Sequence, residues 1–287
     1  MSPVGGAGDI SSCKAPPEGA KATAVEAWTI LNKIRLAAGS TCVNMVPELN
    51  TAAQLHCEYR AMHRGNSACG TSAHSQVMGC AGFTGETVQA REVAAGYPRQ
   101  LAYTEVALTY GDNPKLSIPG WLVTPFHRIP MLDPWTTDMG WGGAAGCDVI
   151  DFGRGAQTAP NNSIVLFPYD GQTDVSPSFN GLEAPMPPPP PGGFPSSYPV
   201  SIYAKQMMIT EHVLTKDGDP APITHLWLDA RSPEVNAGLR SYFVTTAMLY
   251  GAPFEPNTKY RVKLVGTYAG GALNVEWTFT TGARARF

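Results

Sequence analysis

Charge is scarce in this sequence. Only 15% of its 287 residues are Asp, Glu, Lys or Arg, the formal net charge is −3, and like charges nowhere form a run. This excludes the basic footprint by which proteins hold nucleic acid or an anionic membrane surface. Long apolar runs are absent too: none approaches the roughly 18 residues that a spanning helix needs, so no transmembrane segment is expected. The start, Met1-Ser-Pro-Val-Gly-Gly, has no basic residues leading into an apolar stretch, so no leader is visible. There is no G-x-S-x-G elbow, and no glycine-rich strand-to-helix loop that would cradle phosphates. Neither an elbow serine nor a nucleotide cofactor is therefore expected.

Cysteine is present but confined. All six cysteines lie between Cys13 and Cys147, and none has the C-x-x-C spacing of a zinc or redox site. An even number in one half of the chain predicts disulfides, and hence an exported protein, secreted or periplasmic, whose leader has been removed. The one pairing predicted is Cys69 with Cys80, which closes a short loop around His74 and restricts where its ring can point.

Residues 1–20, rich in Gly, Ser and Pro, read as a loose lead-in. Val25, Trp28, Leu31, Ile34 and Leu36 recur at helical spacing from Lys21 to Ala38, with Gly39 as the stop. A second helix runs from about Pro47 to Arg64. A third is predicted from Thr84 as N-cap, with Glu86 in its first turn, to Gly96-Tyr97. A further helix ends at Thr124-Pro125, because the residue before a proline leaves the α region. The small-residue segments after Asp138 and Cys147 read as strands, so His127 is expected where a helix hands over to a sheet.

From Ala156 onward cysteine disappears and Pro, Thr and Val rise. Strand-like segments at 163–168, 198–203, 207–214, 241–250, 258–265 and 273–281 suggest an antiparallel sandwich. The Pro187–Pro191 run suits an interdomain linker or an SH3-type ligand. Because a strand-like segment precedes it, it is read as a stiff loop inside the second domain.

Several of these residues together resemble the CAP superfamily (cysteine-rich secretory, antigen 5, pathogenesis-related) in its bacterial form. Trp121, Thr124, Pro125, His127 and Arg128, followed by Gly140 and Gly142, match that family's W-x-x-S-P-x-H-R helix end and G-x-G strand, with threonine for serine. Upstream, Asn32 and Arg35 match an N-x-x-R pair. PELNTAAQLHCEYRAMH resembles P-x-L-x-x-A-A-Q-x-H-A-x-Y, and Arg91 with Ala95-Gly96-Tyr97 matches R-x-x-x-A-G-Y. Glu105 stands at the family's G-E-N element, where Thr104 and Val106 replace glycine and asparagine. The last segment, with P-x-T-x-Y-x-V and W-x-F-x-T, looks like the closing strands of bacterial immunoglobulin-like or fibronectin-like modules.

The resemblance implies an α+β chain: an α/β/α CAP sandwich over 21–155 followed by an all-β Ig-like sandwich over 156–287. It implies that His74, Glu105 and His127 converge in one cleft. Two imidazoles and a carboxylate could hold one divalent metal, zinc or another, with an open position. They could equally work without metal, the glutamate fixing one histidine's tautomer while the other accepts a proton. Glu105, a lone carboxylate in an apolar run, needs such a partner, since burying it unpaired is costly. Thr124 stands where eukaryotic members carry a second glutamate, reducing four groups to three. His56 and His63 are assigned to helix packing, and Ser72, Ser75 and Thr124 are nucleophile candidates by proximity alone. Three function classes follow: a hydrolase or lyase on an extracellular polymer (polysaccharide, cell wall or peptide), a lipid-, sterol- or glycan-binding protein, and a surface-interaction protein. Trp121, Trp135, Trp141, Tyr97, Tyr103 and Tyr110 could stack on a ligand, but such residues are more often core.

Overall fold

Helix α1 (Ala22–Ala37) buries Ala24, Ala27, Trp28 and Leu31 on one stripe and stops at Gly39, whose φ of +87° lies in the left-handed region. The computed structural model describes residues 8–70, 72–108, 110–155 and 159–285. Two polar side chains share the buried stripe and explain the N-x-x-R pair. Asn32 donates to the Val43 carbonyl (3.1 Å) and accepts from the Val43 amide (2.8 Å). Arg35 donates to the carbonyls of Thr41, Met131, Asp133 and Thr136, at 2.6 to 3.1 Å. One guanidinium so satisfies four carbonyls, those of Met131 and Asp133 at the end of a helix and of Thr41 and Thr136 in loops, that have no strand neighbours.

The chain continues through β1 (Asn44–Met45), α2 (Pro47–Met62), α3 (Val88–Ala94), β2 (Ala102–Leu108), α4 (Pro114–Val123), α5 (Pro125–Leu132), β3 (Asp138–Ala144) and β4 (Cys147–Gly153). These strands form one sheet in the order β1-β3-β4-β2, with β1 parallel to β3 and the other pairs antiparallel. Helix α2 lies directly on β3. A Cβ at Gly140 would run into the backbone of Leu49 and Asn50, and one at Gly142 into that of Ala53, so the G-x-G spacing follows from this close approach.

Two helix boundaries differ from expectation. Helix α3 starts at Val88, not after Thr84: Thr87 is the N-cap, its hydroxyl accepting from Ala90 N, while Thr84 N donates to Gln76 Oε1. After Thr124 the chain does not pass directly to a sheet. Pro125 ends α4 and also opens α5, since a first-turn position needs no N–H. His127 is thus in the first turn of a helix. Three disulfides close this half, Cys13–Cys42, Cys57–Cys147 and the expected Cys69–Cys80, and no described cysteine is free.

The rest of the chain forms β5 (Val165–Phe167), β6 (Gln172–Val175), β7 (Val200–Tyr203), β8 (Met208–Lys216), β9 (His225–Leu228), β10 (Thr246–Gly251), β11 (Lys259–Tyr268) and β12 (Gly271–Thr281). They make two sheets, β5-β7-β10-β9 and β6-β12-β11-β8. All pairs are antiparallel except β6 with β12. The short β6 and β9 were not anticipated, and the segment expected as a strand from Ser241 begins as a 3-10 turn, Arg240–Phe243. The proline run lies between β6 and β7, with Pro187 and Pro190 buried and the Pro188 carbonyl accepting from Tyr250 Oη at 2.6 Å.

The expected break near residue 156 falls on residues 156–158, outside the described residues, as do residues 1–7 of the lead-in. On either side of it the apolar core is continuous, running from Trp28 and Trp121 to Phe167, Tyr203 and Phe279. Arg128 is the principal polar tie. Fully buried, it donates to the carbonyls of Leu122 and Pro199 and lies over the rings of Phe167 (4.9 Å) and Tyr198 (4.6 Å). Replacing Arg128 with alanine strands the Pro199 carbonyl, leaves that of Leu122 only Tyr198 Oη, and removes the guanidinium from the Phe167 and Tyr198 rings, so a loss of about 3 kcal/mol or more is expected by urea denaturation. Lysine should rescue little, because it cannot present a planar fork. A loss below about 1 kcal/mol would mean that the packing does not depend on this tie.

Candidate functional site

The site is built around Glu105. Strand β2 carries it inward opposite Asp151 of β4, and its side chain is fully buried. Arg91 of α3 meets one carboxylate oxygen at 2.6 Å, and His74 Nδ1 donates to the other at 2.7 Å. The same guanidinium donates to the His74 carbonyl at 3.0 Å, so it also fixes the loop that carries the histidine.

His56 supports that loop from beneath. Its Nε2 donates to the Ala73 carbonyl (2.9 Å) and its Nδ1 accepts from Gln76 Nε2 (3.2 Å). Tyr59 Oη donates to the Cys69 carbonyl and accepts from Val77 N. Burial, helped by the Arg91 charge and opposed by Glu105, holds the His56 imidazole down at about 4, so it is neutral at physiological pH. Its assignment to packing agrees with these contacts, though it stands only 3.8 Å from Glu105.

Three carboxyls are buried here around one guanidinium, and only one of them is well supplied with donors. Burial pushes Glu105 up, but the His74 hydrogen bond and the charges of Arg91 and the histidines outweigh it and hold Glu105 at about 2. Glu92 has no hydrogen-bond partner among the described residues. Burial, then the Glu105 charge, pushes it up to about 8. Asp151 is driven well above the usual carboxylate range by burial and then by Glu105 and Glu92. At neutral pH, Glu105 is the ionised member.

His127 faces the same cleft from α5. Its Nδ1 lies 2.6 Å from Glu183 Oε1 and 3.2 Å from the Thr124 hydroxyl, which itself donates to the Trp121 carbonyl. Glu183 also accepts from the backbone amides of Phe126 (2.9 Å) and His127 (2.7 Å). His74 and His127 line a cleft of about 60 Å³ with Glu105, walled by Phe126, Pro130, Pro185 and Tyr242. The His74 side chain is 39% exposed and that of His127 15%.

All three residues expected from the sequence therefore meet in one cleft. Glu183 was missed, because nothing in Leu-Glu-Ala-Pro at the head of a proline run signals a partner 56 residues upstream. Arg91 was noted only on the third helix, in the R-x-x-x-A-G-Y match, without a role in the site. The expected three-ligand metal set does not fit these contacts. Both Glu105 oxygens are engaged by His74 and Arg91, so this carboxylate stands behind a histidine and not beside it as a ligand. Among the described residues no group of three or more His, Cys, Asp or Glu stands in metal-holding geometry.

No family profile matches the chain, and no curated protein matches it. Fourteen chains of solved structures do. One is the crystal structure of an extracellular protein containing an SCP domain from Bacillus anthracis str. Ames, 17% identical, with a TM-score of 0.38. The match covers 46% of this chain and 40% of that one, less than half of either.

The buried groups set the pH dependence of stability. Glu92 is raised from 4.5 to about 8, so its contribution is complete below pH 4.5 and is lost as pH climbs to about 8. Glu105 and His56 are depressed to about 2 and about 4, so their contributions are lost as pH falls, His56 from about 6.5 and Glu105 from about 4.5. Chemical denaturation from pH 4 to 9 should show stability falling between about pH 6.5 and 8, and Glu92→Gln should flatten that limb and, because the Glu92 loss begins at pH 4.5 and opposes the His56 gain, steepen the rise between about pH 4.5 and 6.5. An unchanged alkaline limb in Glu92→Gln would assign the loss to other groups.

Proposed function

We propose that this chain is an exported CAP-type protein whose cleft cleaves an extracellular polymer by acid–base chemistry. Residues 21–155 form the catalytic domain in this reading, and 156–287 an Ig-like β-sandwich joined to it. The three disulfides support an extracytoplasmic setting. No described helix is long and apolar enough to cross a membrane.

One observation carries the reading. Each histidine of the cleft has its Nδ1 anchored on a buried carboxylate, His74 on Glu105 and His127 on Glu183. Each therefore keeps Nε2 as the nitrogen available to a substrate, as in hydrolases where a carboxylate fixes the working tautomer. Two such imidazoles make an acid–base pair. One takes a proton from the attacking water, and the other, entering protonated, gives its proton to the leaving group. They then return to their starting states by exchange with solvent. The Thr124 hydroxyl is committed to the Trp121 carbonyl, which argues against it as nucleophile.

The cleft is far smaller than the roughly 300 Å³ of a typical ligand pocket. It suits one bond of a long chain lying across it better than an engulfed sterol or lipid. Half-buried Tyr242, tilted against the buried Phe126 with ring centroids 4.8 Å apart at the wall, offers a ring face to a sugar. A non-catalytic glycan-binding role is the second reading, supported by the same tyrosine. The chemistry proposed needs no metal.

His74→Ala and His127→Ala should each lower turnover of a cell-wall, polysaccharide or peptide substrate about 100-fold, with circular dichroism unchanged, and the wild-type rate should be bell-shaped in pH. Calorimetry with zinc, run in parallel, reads out metal dependence. Variants that bind glycan as well as wild type while neither protein turns it over would favour the binding role.

A further inference from the structure

We propose that Glu183 is a positioning residue for His127, so that the C-terminal half of the chain supplies the fourth group of the site. This deepens the acid–base reading and rests on it. Thr124, three residues before this histidine, has its hydroxyl turned to the Trp121 carbonyl. The carboxylate on His127 comes from the loop between β6 and β7.

The form of that loop points to the carboxylate as its reason. Leu182 is 78% exposed and Met186 69%, yet the Glu183 side chain between them is completely buried. The two large apolar residues nearest the acid thus face outward while the acid faces inward, so apolar burial of its immediate neighbours does not hold Glu183 in place; the loop's buried Phe179 and Tyr198 lie nearer its ends. The buried charge is satisfied by three N–H groups at the first turn of α5: the amides of Phe126 and His127, and His127 Nδ1. Among the described residues no lysine or arginine pairs with it; the side chain that meets it is His127, at 2.6 Å.

The two amides alone would make Glu183 a helix cap supplied from a distant segment. The contact to Nδ1 is the shortest of the set and goes further, because it makes Nδ1 the protonated nitrogen and leaves the Nε2 lone pair to the cleft. His74 is held in the same sense by Glu105. The far side of the loop is fixed by the buried Pro187 and Pro190 and by Tyr250 Oη on the Pro188 carbonyl, so Glu183 is delivered by a braced segment.

The test is the ring's tautomer, read from the ¹⁵N shifts of the histidines in the labelled full-length chain, with His74 as internal control. Wild-type His127 should be the Nδ1–H form. Glu183→Ala should move His127 toward the Nε2–H form that free histidine prefers, leaving His74 unchanged. Glu183→Gln keeps an acceptor for the amides but not the charge. It should retain the fold and lower kcat about 100-fold with KM within about threefold of wild type. Wild-type His127 in the Nε2–H form overturns the proposal with no variant required. So does an unchanged His127 spectrum in a folded Glu183→Ala. A tautomer shift in a protein that turns over no substrate sustains the role of Glu183 and removes the hydrolytic reading.

Discussion

The pairing of Arg91 with Glu105 in the interior is the interaction on which the site depends. A carboxylate moved out of water without a partner would take up a proton. Here one guanidinium at 2.6 Å supplies the compensating charge, and the same group holds the His74 carbonyl. One side chain on α3 thereby sets both the ionisation of Glu105 and the position of the histidine that Glu105 orients. Burial, and then the charge of Glu105, keep the neighbouring Glu92 and Asp151 protonated. A second negative charge in the same pocket would loosen the His74 loop from below.

Much of the N-terminal half was legible in the sequence, and for identifiable reasons. The α1 stripe shows its period directly, and the N-x-x-R pair on it turns out to bind loop carbonyls. Gly140 and Gly142 are spaced two apart because a helix backbone rests on alternate residues of β3. Pro125 was read as an end, but a proline is also a good first residue, and the sequence alone does not choose between the two. Strands β6 and β9 are four residues each, too short to show a period. Asp151 sits in a strand buried on both faces, where alternation no longer separates inside from outside.

The site was legible to the extent that local signals mark it. His74 is framed by two cysteines, Glu105 is alone in an apolar run, and His127 sits beside a Trp-x-x-Thr-Pro helix end. Glu183 has no such frame. Its meaning comes only from the distance between two segments that the fold brings together, and residue type does not carry that information. The two histidines thus look unequal in the sequence, one with a carboxylate partner and one without, whereas in the fold each has one.

The proline run has a consequence beyond holding a loop in place. From residue 176 to 199 the chain has no named strand or helix, and ordering so long a connection costs conformational entropy. Five consecutive prolines, Pro187–Pro191, reduce that cost before folding begins, because each has little backbone freedom to lose. The segment is therefore partly ordered while the chain is still unfolded. The entropy saved lies where a single buried acid must be held without the help of the apolar side chains beside it.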